Sequence, residues 1–292
     1  MGALLNLLAD KKVLVSDGAW GTMLQGKGLA PQHCPEEWNV SHAEEVQSVA
    51  AQYARAGSDM ILTNTFGGSA TKLAKMGYGN RVREFNLAGA RNSLQGAPGV
   101  LVAGSVGPTG QFIQPLGSAT VEEMESVFSE QIEALLEAGL KAICIETMTA
   151  VEEAAAAVRA ARKLDAKLDI ITTFTFDPTP NGFKTIMGVD PQRVAEELPQ
   201  TGANVIGANC GNGIEQMIDI TIEFRKYTDL PILIHANAGL PELVDGQTVF
   251  RQGPEEMAAH ARALLDAGAN IIGGCCGTTP EHIAAIKTAL GV

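Results

Sequence analysis

Eight short, largely apolar runs recur along the chain, and their regular return is the feature that most limits how it can fold. They occupy residues 13–16, 60–63, 100–103, 142–145, 169–173, 204–207, 231–234 and 270–273. The runs are continuous rather than alternating, which is typical of strands buried on both faces of a sheet. Segments with helical periodicity separate the runs. The pattern therefore predicts parallel strands that alternate with helices.

Near-identical phrases lead into four of these runs. They are residues 56–59 (Ala-Gly-Ser-Asp), 138–141 (Ala-Gly-Leu-Lys), 201–204 (Thr-Gly-Ala-Asn) and 267–270 (Ala-Gly-Ala-Asn). A glycine in this position commonly ends a helix, because it adopts left-handed backbone angles without strain. Such tight turns predict an α/β fold, a closed (β/α)8 TIM barrel formed by residues 1–292 as a single domain. An open doubly wound sheet is the alternative, but no Gly-x-Gly-x-x-Gly follows the first run.

Several helix boundaries are also marked in the sequence. Ser41 with Glu44, and Thr120 with Glu123, have the spacing of a capping box. Pro280 fits the first turn of a last helix that we expect over residues 280–290.

Three cysteines follow predicted strands, where barrel enzymes place their chemistry. Cys210 follows the sixth run, and Cys275 with Cys276 follows the eighth, inside Gly-Gly-Cys-Cys-Gly-Thr-Thr-Pro at residues 273–280. Neighbouring side chains of a strand point to opposite faces, so the strand must end before both cysteines can face one point. Three thiolates at two strand ends could form an open zinc site. The alternative is that they are small buried core residues.

Three thiolates around one zinc ion give a negative centre, which is a poor Lewis acid for hydrolysis. Such a centre suits the activation of a substrate thiol, whose sulfur stays nucleophilic. The chemistry expected is therefore alkyl transfer to sulfur. A non-catalytic subunit that binds zinc or a thiol is the alternative from another class.

Other polar residues follow the predicted strands. Asp17 and Glu146 end the first and fourth runs, where carboxylates could act as acid and base or hold the ammonium of an amino-acid substrate. Asn237 could offer a displaceable oxygen to a metal, whereas we expect His235 to be a hydrogen-bonded core residue. We also place Cys144 in the core, and residues 107–110 could cradle an anion.

Several of these segments resemble one known family. Residues 17–25, 63–66, 107–110, 209–210, 237–241 and 273–279 are similar to the homocysteine S-methyltransferase family, in particular to the homocysteine-binding barrel of cobalamin-dependent methionine synthase. The resemblance implies a (β/α)8 barrel in which Cys210, Cys275 and Cys276 hold zinc. By the same resemblance, Asn237 completes the zinc shell when substrate is absent. The residues it assigns to the substrate are Asp17, Ala19, Ser105, Glu146 and Asn209.

The resemblance further implies methylation of L-homocysteine to methionine. The expected donor is methylcobalamin, a corrinoid, carried by a separate protein, because the chain has no Asp-x-His-x-x-Gly corrinoid-ligand motif. S-methylmethionine and betaine-type compounds are alternative donors. Their cationic groups favour a cage of aromatic side chains, and the chain has few residues for one, with two Trp and three Tyr. Residues 211–213 and the pair His235-Ala236 depart from the family pattern at the rim, which leaves a different acceptor thiol open.

Charge and cysteine content limit the partners. The net charge of −12 argues against nucleic acid and anionic membrane surfaces, which attract basic proteins. No apolar run approaches membrane-spanning length, and the N-terminus does not resemble a signal peptide. Five cysteines without a secretion signal indicate reduced thiols, so we expect a cytoplasmic protein. Cys34 is left without a role.

Overall fold

Eight parallel strands form a closed barrel in the computed structural model, which describes residues 2–244 and 247–292. The strands are β1 (Leu14–Val15), β2 (Met60–Leu62), β3 (Leu101–Val106), β4 (Ala142–Met148), β5 (Asp169–Phe174), β6 (Val205–Asn209), β7 (Ile232–Ala236) and β8 (Ile271–Gly274). Each strand pairs with the next from β2 to β8, and β8 pairs with β1. Ser16 bridges to Met60 and closes the ring between β1 and β2. The predicted (β/α)8 barrel is confirmed.

Helices surround the strands. They are α1 (Ala3–Lys11), α2 (Gly21–Gly26), α3 (Trp38–Ser41), α4 (Ala43–Arg55), α5 (Ala70–Lys75), α6 (Val82–Gly96), α7 (Val121–Glu137), α8 (Val151–Leu164), α9 (Pro191–Thr201), α10 (Ile214–Arg225), α11 (Pro254–Asp266) and α12 (Pro280–Leu290), with a 3-10 turn at Pro35–Glu37. Two small hairpins follow β5 and β7: Asp177–Thr179 with Gly182–Lys184, and Glu242–Val244 with Gln247–Val249. Within the described residues, no helix combines the length and the apolar character needed to cross a bilayer.

The barrel interior is filled by side chains and is not a channel. Leu14, Met60, Cys144, Ile171 and Leu233 belong to one buried cluster inside the strands. Cys144 is fully buried there, as predicted. A packed interior leaves the mouth of the barrel, at the carboxyl ends of the strands, as the place for chemistry.

The repeated phrases at the helix-to-strand turns have a structural explanation. Gly202 and Gly268 both have φ of 110°, in the left-handed region that favours glycine. The side-chain oxygens of Asn204 and Asn270 each accept a hydrogen bond of 2.9 Å from a backbone N–H of the neighbouring strand. These two phrases therefore each end a helix and join two strand edges within four residues.

The predicted capping boxes had different outcomes. Thr120 accepts from the backbone of Glu123, and the Glu123 carboxylate accepts from the backbone of Thr120, as predicted. The prediction at Ser41 was wrong. Ser41 belongs to α3, and its hydroxyl donates to Glu37, so α4 starts after His42 without a side-chain cap.

Candidate active site

Three cysteine sulfurs meet at the mouth of the barrel. Cys210 directly follows β6, and Cys275 and Cys276 directly follow β8. All three sulfurs lie within 4.8 Å of one another, and those of Cys210 and Cys276 are 3.8 Å apart. Within the described residues this is the one group of three or more candidate metal ligands that comes together in this way.

The backbone around the cysteines departs from regular strand geometry. β8 ends at Gly274, so the strand stops before the cysteine pair as the sequence predicted. A Cβ atom on Gly274 would lie 2.2 Å from the hydroxyl oxygen of Thr278, which only glycine avoids. Cys210 has a positive φ of 60°, and this unusual angle turns the chain at the end of β6.

The donor set fits a tetrahedral zinc ion. Zinc–sulfur bonds of about 2.3 Å in a tetrahedron place the sulfurs about 3.8 Å apart, which matches the spacing of Cys210 and Cys276, 3.8 Å. The side chain of Asn237 interacts with Cys210. Its oxygen is buried and has no hydrogen-bond partner among the described residues. Three sulfurs therefore supply three of the four donors that such an ion takes, and the Asn237 side chain lies beside one of them.

The protonation of the three thiols is linked. Hydrogen bonds from Cys275 and Cys276 lower the pKa of Cys210. The same hydrogen bonds to Cys210 raise the pKa values of Cys275 and Cys276. Loss of the proton from one thiol therefore disfavours its loss from the other two, and a divalent cation would favour three thiolates together.

Asp17 lies just past β1 and is fully buried. Its carboxylate accepts from the indole of Trp20 and from the backbone of Leu62, both at 2.8 Å, and from the hydroxyl of Ser16 at 3.2 Å. Burial outweighs these bonds and raises the pKa of Asp17 to about 6. Such a carboxyl is stabilised as an anion when a cationic group approaches it.

Glu146 occupies the corresponding place near the end of β4. The Ser105 hydroxyl donates to one of its carboxylate oxygens. Burial is the main cause that raises its pKa to about 7, and the charges of Asp17 and Cys210 add to it. Asp17, Glu146 and the cysteine cluster therefore lie at the same mouth of the barrel, close enough for the charge of one group to change the pKa of another. A ligand with both a thiol and an ammonium group matches this combination.

The Ala19 backbone is tied to the cysteine loop. Its N–H donates to the hydroxyl of Thr278 at 3.1 Å, and its carbonyl accepts from the hydroxyl of Tyr53 at 2.8 Å. The Thr278 hydroxyl donates in turn to the carbonyl of Cys275 at 2.7 Å. Tyr53 and Thr278 thus join the segment that carries Asp17 to the segment that carries two cysteines. The sequence offers no reason to assign Tyr53 to the site, because an aromatic residue on a helix usually belongs to the hydrophobic core.

Asn209, the last residue of β6, uses its amide within the protein. Its oxygen accepts from the backbone N–H of Thr147 at 2.8 Å and from the hydroxyl of Thr173 at 2.7 Å. Its nitrogen donates to the hydroxyl of Thr147 at 2.8 Å and lies 4.0 Å from the sulfur of Cys275. Sequence reasoning also missed the part played by Thr147, for which no local signal exists.

Residues placed outside the site by the sequence remain outside it. His235 is buried with its Nε2 unpartnered among the described residues, and burial lowers its pKa to about 4, so the ring is neutral. Its burial matches the expectation of a core residue, whereas the expected hydrogen bonding is not seen at Nε2 within the described residues. The Cys34 thiol donates to Glu36 at 3.2 Å, and burial raises its pKa to about 12.

The turn at residues 107–110, which the sequence suggested as a cradle for an anion, has two of its three backbone N–H groups engaged within the protein. The N–H of Gly107 donates to the carbonyl of Phe66 at 2.9 Å. The N–H of Thr109 donates to the buried carboxylate of Glu153 at 2.8 Å. Both donors are therefore already used within the protein.

Comparison with known proteins places this site in context. A model of the homocysteine S-methyltransferase family matches residues 14–290. The methionine synthases of Mycobacterium leprae (strain TN) and Mycobacterium tuberculosis (strain ATCC 25618 / H37Rv) are each 28% identical over 98% of this chain. The match covers 25% of each of these relatives, so the chain spans about a quarter of their length.

Solved structures share the fold. The metallated form of the homocysteine methyltransferase MmuM from Escherichia coli has a TM-score of 0.81 and 24% identity, covering 98% of this chain and 99% of that one. The apo form of the same protein has a TM-score of 0.75 over 98% of this chain and 99% of its own. At this level of identity the likeness supports the barrel architecture.

Proposed function

This chain belongs to the homocysteine S-methyltransferase family, and from that premise we propose that it methylates L-homocysteine to methionine with the help of zinc held by Cys210, Cys275 and Cys276. The membership confirms the resemblance noted in the sequence. The observation that carries the proposal is the convergence of three sulfurs within 4.8 Å beside two buried carboxyl groups at one barrel mouth. Zinc bound to these sulfurs would stabilise the substrate sulfur as a thiolate by Lewis-acid chemistry.

The carboxyl groups suit the amino-acid end of the substrate. Asp17 and Glu146 are buried, and their raised pKa values mean that an ammonium group lowers the energy of their charged forms. Ser105 holds Glu146 by donating its hydroxyl. The Ala19 segment is fixed by Tyr53 and Thr278. Asp17, Glu146 and the Ala19 segment would bind and orient the amino-acid end of the substrate, and its sulfur would then point at the cysteine cluster.

The reaction requires no nucleophile from the protein. The substrate thiol loses its proton, its sulfur forms a bond to the methyl carbon, and the bond from that carbon to the donor breaks. The electron pair of the broken bond stays with the donor. The contribution of the chain is to generate the thiolate and to position it.

The donor we propose is methylcobalamin carried by a separate corrinoid protein. This choice is supported by the likeness to methionine synthases. S-methylmethionine and betaine-type donors are the alternatives. A cage for an onium cation needs several aromatic faces, and of the two Trp and three Tyr in the chain, Trp38 and Tyr53 are buried.

The test is a methyl-transfer assay with zinc-loaded full chain, L-homocysteine and free methylcobalamin, following the loss of the methylcobalamin spectrum. Cys276→Ser removes one sulfur of the cluster and is expected to abolish zinc-dependent turnover and lower bound zinc, measured by elemental analysis. Cys34→Ser is the matched control. It removes a thiol outside the cluster, and a hydroxyl can donate to Glu36 in place of the thiol.

The outcomes separate the alternatives. Turnover in the unmodified protein and in Cys34→Ser, but not in Cys276→Ser, supports the proposal. Turnover with S-methylmethionine or another thiol alone keeps the zinc chemistry and reassigns the substrates. Thiol binding without turnover of any donor favours a non-catalytic zinc- or thiol-binding subunit of a multi-protein system.

A further inference from the structure

Thr147 has a backbone conformation that is rare for its residue type. Its φ is 61°, in the left-handed region that β-branched residues avoid. It follows Glu146 inside β4. Strain of this kind persists only where the surrounding structure holds it, and it concentrates at functional sites.

The strained residue coincides with an irregularity of the sheet. Ile145 pairs with Thr172 and Met148 pairs with Phe174, so β4 contains one more residue than β5 over this interval. Such a bulge re-aims the side chain next to it. Here that side chain is the carboxylate of Glu146.

Asn209 holds this bulge from the neighbouring part of the barrel. Its amide bonds to both the backbone N–H and the hydroxyl of Thr147, each at 2.8 Å. The amide oxygen also accepts from the Thr173 hydroxyl, and the amide nitrogen faces the Cys275 sulfur. An asparagine amide has two donors and an oxygen with two lone pairs. Protein groups use both lone pairs of the oxygen and one N–H of the nitrogen at 2.7–2.8 Å, and the Cys275 sulfur lies 4.0 Å from that nitrogen.

These contacts connect the two halves of the site. Asn209 touches the sulfur of Cys275 on one side and the bulge that carries Glu146 on the other. Asn209 directly precedes Cys210, so one residue lies between the cysteine cluster and the carboxylate. A rigid link of this kind sets the distance between the groups that would receive a thiol and an ammonium.

We propose that Asn209 is a positioning residue that holds the β4 bulge at Thr147, and through it aims Glu146 so that the site selects thiols that also carry an ammonium group. This inference rests on the proposed function for the placement of the thiol. It replaces the expectation from the sequence that Asn209 itself binds substrate.

The experiment compares L-homocysteine with 4-mercaptobutanoate, which has the same chain and carboxylate but no amino group. Selectivity is the ratio of kcat/KM values for the two thiols with methylcobalamin. Because the ammonium would form charge-assisted hydrogen bonds, Asn209→Ala is expected to reduce this ratio by about tenfold or more. Thr147→Val removes a single hydrogen bond and should reduce it less, which keeps the test usable if Asn209→Ala does not fold.

A second readout does not depend on turnover. The protein loaded with Co2+ is titrated with each thiol, and the thiolate-to-metal charge-transfer band reports binding. Asn209→Ala should keep the band of the cysteine cluster while its preference for homocysteine falls. Asn270→Ala is the matched control, since its amide accepts a backbone N–H of β7 at the other end of the barrel. That variant should lose thermal stability and keep the selectivity.

Each outcome has a separate meaning. An unchanged ratio in a folded Asn209→Ala protein overturns the inference while leaving the proposed function intact. Binding of both thiols without methyl transfer counts against the proposed function, and the ratio of the two affinities still tests Asn209. A wild-type protein that binds neither thiol at the metal overturns both.

Discussion

Glu146→Gln should stabilise the metal-free protein at alkaline pH, although it removes a group that we assign to the substrate. Glutamine keeps the size of glutamate, and its oxygen can still accept from the hydroxyl of Ser105. It carries no charge, so the burial that raises the pKa of Glu146 no longer opposes folding.

The magnitude follows from the linkage of protonation to folding. The pKa of Glu146 is about 7 in the folded protein, against an ordinary value of 4.5, a difference worth about 3 kcal/mol. Between those two values the unfolded chain has lost the proton and the folded protein still binds it. Stability contributed by this group is therefore highest below pH 4.5 and falls as the pH rises to about 7. At pH values well above 7 the contribution of Glu146 to stability no longer changes with pH.

The assay is urea denaturation of chelator-treated protein at several values between pH 5 and pH 8. Chelation matters because a cation at the cysteines would favour the charged carboxylate. At pH 8 the free energy of unfolding of Glu146→Gln should exceed that of the wild type by about 3 kcal/mol, and near pH 5 by much less. Glu130→Gln removes the same charge from an exposed position on α7 and controls for net charge.

A gain for Glu146→Gln that does not change between pH 5 and pH 8 would refute the role of burial. A loss of stability at pH 8 would show that the carboxylate is held by favourable contacts instead. The same variant should bind homocysteine less tightly, because a neutral amide attracts an ammonium group less than a carboxylate does.

Three further predictions concern stability and reactivity. Gly207→Ala should cost more than about 3 kcal/mol in urea denaturation, because its Cβ would lie 1.8 Å from the carbonyl oxygen of Leu233; a loss below 1 kcal/mol would contradict the packing. Tyr53→Phe should lower unfolding free energy by about 1–2 kcal/mol, since the carbonyl of Ala19 loses a buried donor, and an unchanged urea midpoint would argue against that bond. The Cys144 thiol should react with an aromatic disulfide only on unfolding, because burial raises its pKa well above the ordinary value; rapid labelling of a peptide containing it, detected by mass spectrometry, would contradict this.

The sequence by itself determined the architecture of this protein. Runs such as residues 231–234 are local signals for buried strands, and the glycines at 202 and 268 mark turns whose φ of 110° they alone adopt easily. The cysteine motif also predicted that its thiols come together, because groups at the carboxyl ends of parallel strands meet at one edge of a barrel. The sequence was misleading at Ser41, which fits the capping-box pattern. In the structure Ser41 is the last residue of the preceding helix α3, so it cannot cap α4.

The tertiary structure decided which groups those residues touch. The bond from Tyr53 to Ala19 joins residues 34 positions apart, and the bonds from Asn209 to Thr147 join residues 62 positions apart. Nothing in the composition near Thr147 predicts its positive φ, since that angle is held by contacts from β6. The raised pKa values of Asp17 and Glu146 likewise depend on burial, which arises only when the barrel closes. Local pattern thus determines where strands and helices form, whereas desolvation and long-range hydrogen bonds depend on the assembled barrel.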